Sequence, residues 1–293
     1  MVENLFNQRM YRFRATFLNG LYSKICMIIV IGCGTTGNQI IPKLGNDMLV
    51  IDRDIVEEKN LERQQLFTKE DTGKPKALVM GERYDVDYKI LDLDYSTIEI
   101  LHEAELVIDC TDNLATRFLI NEYCMKNNIP WMYTGIVGDR GRVMGITGDY
   151  CFRCFHQEVK GLDTCTTVGV DLDIARQVGK VAVEEAQRIL NKNKSRGLWA
   201  NGEWVGVQRN KDCPVCKGRY EYLNGKQEKV IKFCGSSRFQ FKGNFDFEAV
   251  RERLGKVGDW FVYEDFYVFR DRVLVKAESE AEAKKKFGDV IGF

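Results

Sequence analysis

The sequence predicts an α/β fold built around a doubly wound, mostly parallel sheet, with a small α+β domain after it. Short apolar runs alternate with helical patterns, which is typical of parallel strands buried between two helical layers. A glycine-rich turn follows the first run, and the composition changes to aromatic-rich strands after Cys216. We therefore expect a Rossmann-like first domain. The predicted parts are an N-terminal arm at 1–24, a nucleotide-binding domain at 25–219 and a C-terminal domain at 220–293.

Four apolar runs mark the strands of the first domain: MIIVI at 27–31, MLVI at 48–51, LVIDC at 106–110 and WMYTG at 131–135. Each run is short, as buried strands are. Helical patterns connect or follow them at 35–44, 74–84, 95–103 and 114–127. Pro75 suits the first turn of the second helix, and Pro42 is expected to shorten the first.

A long helix and a hairpin are predicted for the rest of the first domain. Apolar residues between Asp173 and Lys192 fall on one helical face. The segment LWANGEWVGVQ carries an Asn-Gly turn between two short strands, which predicts a β-hairpin. The C-terminal domain is predicted to contain strands within 229–242 and 258–276 and helices at 245–256 and 279–287.

Composition excludes several classes of function. The formal net charge of the 293 residues is zero, so the chain carries no basic footprint for nucleic acid. No apolar run approaches the roughly 20 residues of a membrane span, and the first residues do not resemble a secretion signal. We expect a cytoplasmic protein that binds neither nucleic acid nor membrane. With two histidines in the chain, catalysis by a serine–histidine pair or a multi-histidine metal site is nearly excluded.

The glycine turn and the acid after it predict a nucleotide site. Gly32, Gly34 and Gly37 lie between the first strand and the first helix, where glycine lets the backbone turn tightly and approach phosphate. Asp52 ends the second strand, where a carboxylate can bind ribose hydroxyls. Taken singly, the glycines also fit a structural turn, and Asp52 also fits a helix cap. Taken together, they fit an NAD-dependent oxidoreductase as well as an ATP-binding enzyme.

The next polar residues along the chain separate these two possibilities. Asn60, Arg63 and Lys76 follow Asp52, and a dehydrogenase has no use for such a set. Fixed cations beside a triphosphate stabilise the charge that develops as pyrophosphate leaves. Arg63 or Lys76 alone would be an ordinary surface charge, but the whole set at these spacings favours an enzyme that breaks ATP.

At this point the sequence resembles a known family. The run IDRDIVEEKNLERQ, then GKPKA, then DCTDNLATR at 109–117 is similar to the ubiquitin-like-protein activating enzymes, the ThiF/MoeB-type adenylyltransferases. The resemblance covers roughly 25–218. It implies ATP- and Mg²⁺-dependent adenylation of the C-terminal carboxylate of a ubiquitin-like or sulfur-carrier protein that ends in Gly-Gly. It also implies a homodimer.

The resemblance assigns roles to individual residues. By similarity, Asp52 holds the ribose, Asn60, Arg63 and Lys76 contact phosphates, and Gln64 belongs to the same nucleotide-binding run. Asp112 binds Mg²⁺, and Asn113 and Arg117 complete its loop. An N-terminal arginine, for which Arg14 is our choice over Arg9 and Arg12, reaches the partner subunit's active site. Cys165, in a CxTxGV-like stretch, accepts the activated carrier as a covalent adduct.

Four of the ten cysteines form two CxxC pairs, Cys151/Cys154 and Cys213/Cys216. In a reducing compartment, paired CxxC knuckles indicate a metal before a disulfide, and four thiolates suit a closed, structural Zn²⁺ site. Buried thiols and a redox-active CxxC are the alternatives. The family resemblance points to the same paired zinc ligands.

Three functions therefore stay open. The first is an adenylyltransferase for a carrier protein. The second is an NAD-dependent oxidoreductase, which leaves Arg63, Lys76 and Asp112 without a purpose. The third is a scaffold that binds a carrier tail without chemistry, against which the intact set of charged residues argues.

Overall fold

A computed structural model describes residues 27–156, 170–226, 230–232, 238–242 and 245–291 of the chain. Arg14 and Cys165 lie outside the described residues. Contacts divide the chain into two compact units, one ending at Gly225 and the other beginning at Lys226. Among the described helices, none is long and apolar enough to cross a membrane.

The first unit is organised by an eight-stranded sheet with the strand order β3-β2-β1-β4-β5-β6-β7-β8. Strands β1 to β5 pair in parallel, and β5 to β8 continue the sheet in antiparallel pairs. The prediction of a doubly wound, mostly parallel sheet is confirmed. The strands are β1 Ile28–Ile31, β2 Met48–Asp52, β3 Asp87–Ile90, β4 Leu106–Asp109, β5 Trp131–Val137, β6 Arg140–Ile146, β7 Leu198–Ala200 and β8 Glu203–Val205.

Helices cover both faces of this sheet. The α-helices are α1 Thr35–Ile40, α2 Lys76–Tyr84, α3 Leu114–Asn127, α4 Phe152–Phe155 and α5 Leu172–Leu190. Side chains of α1, α2 and α5 enter one core cluster, which contains Val30 and Val50, whereas α3 and α4 enter a second cluster with Ile29 and Leu49. Because successive residues of a strand point to opposite faces, the uninterrupted apolar runs of β1 and β2 fill both layers.

Local sequence explains where several elements begin and end. Pro42 lies in a short 3₁₀ helix, Ile41–Lys43, which ends the α1 segment, so that α1 itself stops at Ile40. Asn113 caps α3 by accepting hydrogen bonds from the N–H groups of Ala115 and Thr116. The hairpin turn between β7 and β8 has positive φ at Asn201 (45°) and Gly202 (104°), as an Asn-Gly type I′ turn requires.

Three elements differ from the sequence prediction. The helix expected at 95–103 is a 3₁₀ helix, Ile98–Glu103. Strand β3 was not predicted, because all of its residues are only partly buried and it has no apolar run. Strand β6 was not predicted either, because its run is broken by glycines and arginines; it pairs with β5 along its whole length.

The second unit contains a five-stranded antiparallel sheet with the order β11-β12-β13-β10-β9. Its strands are β9 Val230–Lys232, β10 Arg238–Lys242, β11 Trp260–Tyr263, β12 Phe266–Phe269 and β13 Arg272–Lys276, and its helices are α6 Phe247–Arg253 and α7 Glu280–Val290. Phenylalanine and valine side chains of the sheet pack on both helices in a core of their own. The expected α+β architecture is therefore present.

Candidate active site

The carboxyl ends of β1, β2 and β4 carry the predicted nucleotide residues. At the end of β1, Gly32 has a φ of +99°, and a Cβ at this position would lie 2.7 Å from the carbonyl oxygen of Cys110. At Gly37, a Cβ would collide with the carbonyl oxygen of Gly32. A Cβ at Gly34 would meet nothing within 4 Å, so the turn is packed on its inner side and open at Gly34. Such an opening lets a ligand approach the backbone.

Asp52 is held against this turn by the main chain. One carboxylate oxygen accepts a hydrogen bond from the N–H of Cys33 (2.5 Å), and the other accepts one from the N–H of Asp54 (2.7 Å). Burial raises the pKa of Asp52, and the neighbouring Lys76 acts in the opposite direction. A carboxylate has about four acceptor positions, so these two bonds leave capacity for ribose hydroxyls.

Lys76, the first residue of α2, extends its side chain toward the same strand end. Its ammonium group lies 2.7 Å from a carboxylate oxygen of Asp54. Burial acts to lower the pKa of Lys76, but the carboxylates of Asp54 and Asp52 more than offset this effect, and the pKa is raised. The predicted phosphate-binding lysine is thus a charged group beside Asp54, just after the end of β2. Asp54, its partner, was missed because the sequence offered no signal for it beyond its proximity to Asp52.

The segment after β2 carries Asn60, Arg63 and Gln64. A short 3₁₀ helix, Glu58–Asn60, starts this segment, and the N–H groups of Arg63 and Gln64 both donate to the carbonyl oxygen of Asn60 (3.0 and 2.9 Å). The Asn60 amide donates to Glu57 (3.3 Å). The backbone thus folds these three predicted residues into a single turn.

Two polar groups of this turn have no protein partner within the described ranges. The side-chain oxygen of Gln64 is buried there and accepts no hydrogen bond. No hydrogen bond or ion pair joins the half-buried Arg63 guanidinium to any other residue that the structure describes. Buried polar groups are normally satisfied, so both groups fit a site that is completed by a polar ligand.

Asn38 connects the glycine turn to the Arg63 segment. Its buried side-chain amide donates to the carbonyl oxygens of Cys33 (2.9 Å) and Gly34 (3.0 Å). Its oxygen accepts a hydrogen bond from the N–H of Leu66 (2.9 Å). Sequence reasoning missed this residue, because an asparagine inside a short helix resembles many that have no such role.

The loop after β4 carries Asp112 and Asn113, and Arg117 lies in the first turn of α3. Asp112 is exposed, and its carboxylate has no hydrogen-bond or ion-pair partner in the described part of the chain. Arg117 points into the protein, where it donates to Asp109 (3.1 Å) and to the carbonyl oxygens of Thr111 and Thr134. Asn113 caps α3, so two of the three residues hold the loop and the third remains available to a ligand.

A second ion pair at this edge was also missed. Arg53, the residue after Asp52, donates to Asp92 (3.0 Å) in the loop that follows β3. Burial acts to lower the pKa of Arg53, but Asp92 and Asp112 outweigh it and raise the pKa. Arg53 therefore links the ends of β2 and β3 and lies close enough to Asp112 for their charges to interact.

The four predicted cysteine ligands meet in one cluster. Cys151 precedes α4 and Cys154 lies within it, while Cys213 and Cys216 lie at a 3₁₀ helix, Val215–Lys217, before the end of the first unit. The four sulfur atoms lie within 4.8 Å of one another. From Cys151, the sulfur separations are 3.8 Å to Cys154, 3.4 Å to Cys213 and 3.6 Å to Cys216, and Cys154 lies 3.5 Å from Cys216.

These separations fit a tetrahedral metal site. Four sulfurs at about 2.3 Å from a Zn²⁺ ion would be roughly 3.8 Å apart, close to the observed values. Burial is the largest cause that raises the pKa of Cys216, to about 11, so a bound metal would be needed to keep this thiol ionised. The cluster is compatible with zinc, and all four ligand positions would be filled by protein.

Comparisons with known proteins found a matching family and several named relatives. The model of the ThiF family matches residues 21–202. The sulfur carrier protein ThiS adenylyltransferase of Bacillus subtilis is 29% identical over 254 residues, which cover 77% of this chain and 76% of that relative. The enzyme of the same name from Escherichia coli is 31% identical over 219 residues, 68% of this chain and 87% of the relative.

Solved structures support the fold of the first unit. The crystal structure of E. coli MccB with ATP aligns with a TM-score of 0.54 at 21% identity and covers 66% of each chain. At this identity the likeness concerns the fold alone.

Proposed function

This chain belongs to the ThiF family, and we propose that it uses ATP to adenylate the C-terminal carboxylate of a sulfur-carrier or ubiquitin-like protein. Relatives named sulfur carrier protein ThiS adenylyltransferase and molybdopterin-synthase adenylyltransferase support this function. The observation that carries it is the pairing of an open glycine turn with Lys76, whose charged ammonium lies beside Asp54 and Asp52.

The reaction that we propose needs no general base. An oxygen of the carrier's C-terminal carboxylate attacks the α-phosphorus of ATP, the bond from that phosphorus to the bridging oxygen breaks, and pyrophosphate leaves. The nucleophile is already ionised, so catalysis depends on positioning and on neutralising negative charge. Arg63 and Lys76 are the cations that would stabilise the charge accumulating on the departing pyrophosphate.

The nucleotide itself would be held by the remaining predicted residues. Gly32, Gly34 and Gly37 would receive the phosphates on the backbone, Asp52 would bind the ribose, and Asn60 and Gln64 would contribute polar contacts. The buried, unsatisfied oxygen of Gln64 and the open side of Gly34 support these assignments.

Mg²⁺ is proposed as the metal that accompanies ATP. Asp112 is an exposed carboxylate without a side-chain partner among the described residues, which suits a hard cation with oxygen ligands. Bound there, the ion would reduce the repulsion between the two reacting anions. Asn113 and Arg117 would keep the loop in place through the helix cap and the hydrogen bond to Asp109.

Zn²⁺ is proposed as a structural ion at Cys151, Cys154, Cys213 and Cys216. The sulfur separations support it, and a four-thiolate site leaves no position for a reactive water. The ion would connect α4 to the loop before the end of the first unit. Disulfide or redox chemistry at the same knuckles is the competing interpretation, and metal analysis of protein purified without chelator distinguishes them.

Two further parts of the proposal rest on sequence alone. Arg14 would reach the active site of a second copy in a homodimer, and Cys165 would take the activated carrier from AMP as a thioester. In that second step the thiolate attacks the acyl carbon and AMP leaves. Replacing Cys165 by alanine should then preserve pyrophosphate exchange and remove any thiol-sensitive carrier adduct on a non-reducing gel. An adduct that survives the replacement assigns the residue no covalent role.

The proposed function is tested by ATP–pyrophosphate exchange with a carrier protein that ends in Gly-Gly. We expect exchange that depends on Mg²⁺ and on the carrier, and no exchange when the two terminal glycines are removed from the carrier. Binding of NAD with hydride transfer would instead support an oxidoreductase. Carrier binding without exchange would support a scaffold.

A further inference from the structure

We propose that Asp54 is a positioning residue for the reaction, one that holds the Lys76 ammonium in place before the triphosphate of ATP arrives. This inference rests on the proposed function, because it assigns Lys76 to phosphate. It adds a residue that the sequence did not single out. Asp54 itself contacts neither nucleotide nor carrier in this account and acts through Lys76.

The side-chain contact is short and protected from solvent. Lys76 is 4% exposed, and its ammonium nitrogen lies 2.7 Å from the nearer Asp54 oxygen. Among the residues that the structure describes, no other side chain forms a hydrogen bond to this ammonium. A buried ammonium without a counter-charge would be strongly disfavoured, and Asp54 supplies the ion pair that, together with the charge of Asp52, permits a charged lysine at this depth.

The backbone fixes the same pair of residues. The N–H of Lys76 donates to the carbonyl oxygen of Asp54 (2.9 Å), and Ile55 forms an antiparallel bridge with Pro75. One step further, the N–H of Val56 donates to the carbonyl oxygen of Lys74 (2.9 Å). The start of α2 is therefore bound to the segment after β2. Lys76 is held by two contacts with Asp54, one between their main chains and one between their side chains.

Asp54 is oriented in turn by its neighbours. Its own N–H donates to Asp52 (2.7 Å), and the carboxylate oxygen that does not contact Lys76 accepts a hydrogen bond from the N–H of Ile55 (2.9 Å). One oxygen is thus used by the main chain and the other by the lysine. Hydrogen bonds therefore connect Asp52, the predicted ribose ligand, through Asp54 to Lys76, the predicted phosphate ligand.

The chemical consequence is preorganisation. An ammonium has three N–H donors, and Asp54 takes one of them, which leaves two for phosphate oxygens. A free lysine side chain samples many rotamers, and the ion pair restricts this freedom before ATP binds. Groups fixed in advance at the position of developing charge contribute most to catalysis. We therefore expect Asp54 to affect the rate at which the phosphates react and to leave the affinity for the nucleoside part of ATP unchanged.

The first test compares Asp54→Asn with Glu185→Gln in the full chain. Glu185 is a suitable control, because it is a buried carboxylate on α5 in a 2.8 Å ion pair with Arg196 and takes no part in the proposed site. We expect Asp54→Asn to lower the exchange rate at saturating ATP by about 10-fold or more. Its affinity for AMP should stay within about 2-fold of the wild type, as should both quantities in Glu185→Gln. An unchanged rate, or an AMP affinity that falls in parallel with the rate, would overturn the proposal.

The second test removes Lys76 as well, which also covers the case in which Asp54→Asn folds poorly. The Lys76→Gln, Asp54→Asn double variant replaces both charges of the ion pair by neutral side chains, so neither partner is left buried and charged without the other, and it should fold. If Asp54 acts only through Lys76, the double variant exchanges pyrophosphate at the rate of Lys76→Gln alone, within about 2-fold. Losses that multiply would show that Asp54 acts by another route and would contradict the proposal.

Nucleotide titration separates a failure of this inference from a failure of the proposed function. In titration calorimetry without carrier, the wild type should bind ATP more tightly than AMP, and Asp54→Asn should reduce that ratio about 5-fold or more. This result is independent of turnover. A wild type that binds ATP but never exchanges pyrophosphate would refute the proposed function alone, whereas an unaltered ATP-to-AMP ratio in Asp54→Asn would refute the role of Asp54.

Discussion

The predicted nucleotide site at the carboxyl ends of β1, β2 and β4, called the nucleotide edge below, lies in the same unit as the cysteine cluster. The two regions differ in whether their polar groups contact one another. The nucleotide edge gathers residues from Gly32 to Arg117 and leaves Arg63 and Asp112 without side-chain partners among the described residues. The cysteine cluster joins segments 62 residues apart in the chain, and its four sulfurs face one another. Two charged groups of the first arrangement have no side-chain partner within the described residues, whereas the sulfurs of the second are spaced as the ligands of one ion would be.

This difference indicates how each region contributes. A site that turns over substrate has to keep charged groups available to it and must hold them by other means, here by Asn38, Asp54 and the main chain around Asp52. A site that stabilises a fold can use all of its ligands on itself. We therefore expect changes at the nucleotide edge to affect activity and changes at the cluster to affect stability.

The largest expected effect is the loss of activity in Arg63→Ala and Asp112→Ala. Each should lower carrier-dependent pyrophosphate exchange by on the order of 10²-fold or more, because Arg63 is the proposed cation for phosphate charge and Asp112 is the proposed ligand of Mg²⁺. Thermal stability and zinc content should stay at wild-type values. Arg176→Ala and Asp173→Ala are matched controls, since these residues form an exposed ion pair on α5. If both active-site variants exchange normally, the nucleotide edge has no catalytic role.

Removal of the metal should produce the complementary result. Cys213→Ser, or chelation of the wild type, should lower the thermal midpoint, and a contribution on the order of 3 kcal/mol corresponds to roughly 6–12 °C. The affinity of the folded fraction for ATP should change little. Cys124→Ala, which removes a buried thiol outside the cluster, should keep one zinc per chain. An absence of zinc in wild-type protein purified without chelator would refute the structural zinc site.

A smaller effect is expected at Glu122, which connects α3 to the chain beyond the cluster. Its buried carboxylate accepts hydrogen bonds from the N–H groups of Glu221 (3.1 Å), Tyr222 (2.8 Å) and Leu223 (3.0 Å). Glu122→Gln should lower the free energy of unfolding by about 1–3 kcal/mol, because an amide cannot accept on both sides. Denaturant unfolding measures the change, with Glu99→Gln as the control, because a glutamine oxygen can still accept the hydrogen bond that the Tyr123 hydroxyl donates to Glu99.

The buried carboxyl group of Glu122 should also make the free energy of unfolding depend on pH. Burial is the largest cause that raises its pKa above 4.5, and the three N–H groups only partly offset it. The folded state therefore binds a proton at Glu122 more tightly than the unfolded state does. Its contribution to stability is fully present below pH 4.5 and is lost as the pH rises through the folded pKa. In Glu122→Gln this slope should be absent, and an identical slope in both proteins would contradict the assignment.

The smallest effect is expected from removal of the second unit. The core of that unit is formed by its own strands and helices, so a chain ending at Gly225 keeps the core clusters of the first unit. We propose that 220–293 helps to recognise the carrier. The truncated chain should then show a carrier KM raised by a few fold, with the KM for ATP unchanged. Steady-state exchange assays with the carrier as the varied substrate measure this, and an unaltered carrier KM would refute the recognition role.

Much of the fold follows from local sequence. The runs MIIVI and LVIDC became β1 and β4, and the predicted helix at 114–127 is α3 with the same bounds. The Asn-Gly hairpin is present because the type I′ turn needs two positive φ angles. Where a segment has neither a buried face nor a turn signal, as in β3, pairing with β2 decides the structure, and local patterning could not predict it.

The candidate site was predictable only in part. Glycines and charged residues at fixed spacings indicated the ligand-facing groups. Asn38, Arg53 and Asp54 contact other protein groups, so their role depends on which residues the fold brings together. The cysteine knuckles were predictable as two pairs, because each has its own local spacing. Their meeting across 62 residues depends on the tertiary fold.

Direct detection of an adenylated carrier tests the central claim. The protein is incubated with ATP, Mg²⁺, pyrophosphatase and a carrier ending in Gly-Gly, and the carrier is examined by intact mass spectrometry under conditions that preserve acyl-adenylates. We expect the carrier to gain the mass of one adenylyl group in the wild type and not in Arg63→Ala. A carrier of unchanged mass, in a reaction where the protein demonstrably binds both ATP and carrier, would contradict the account.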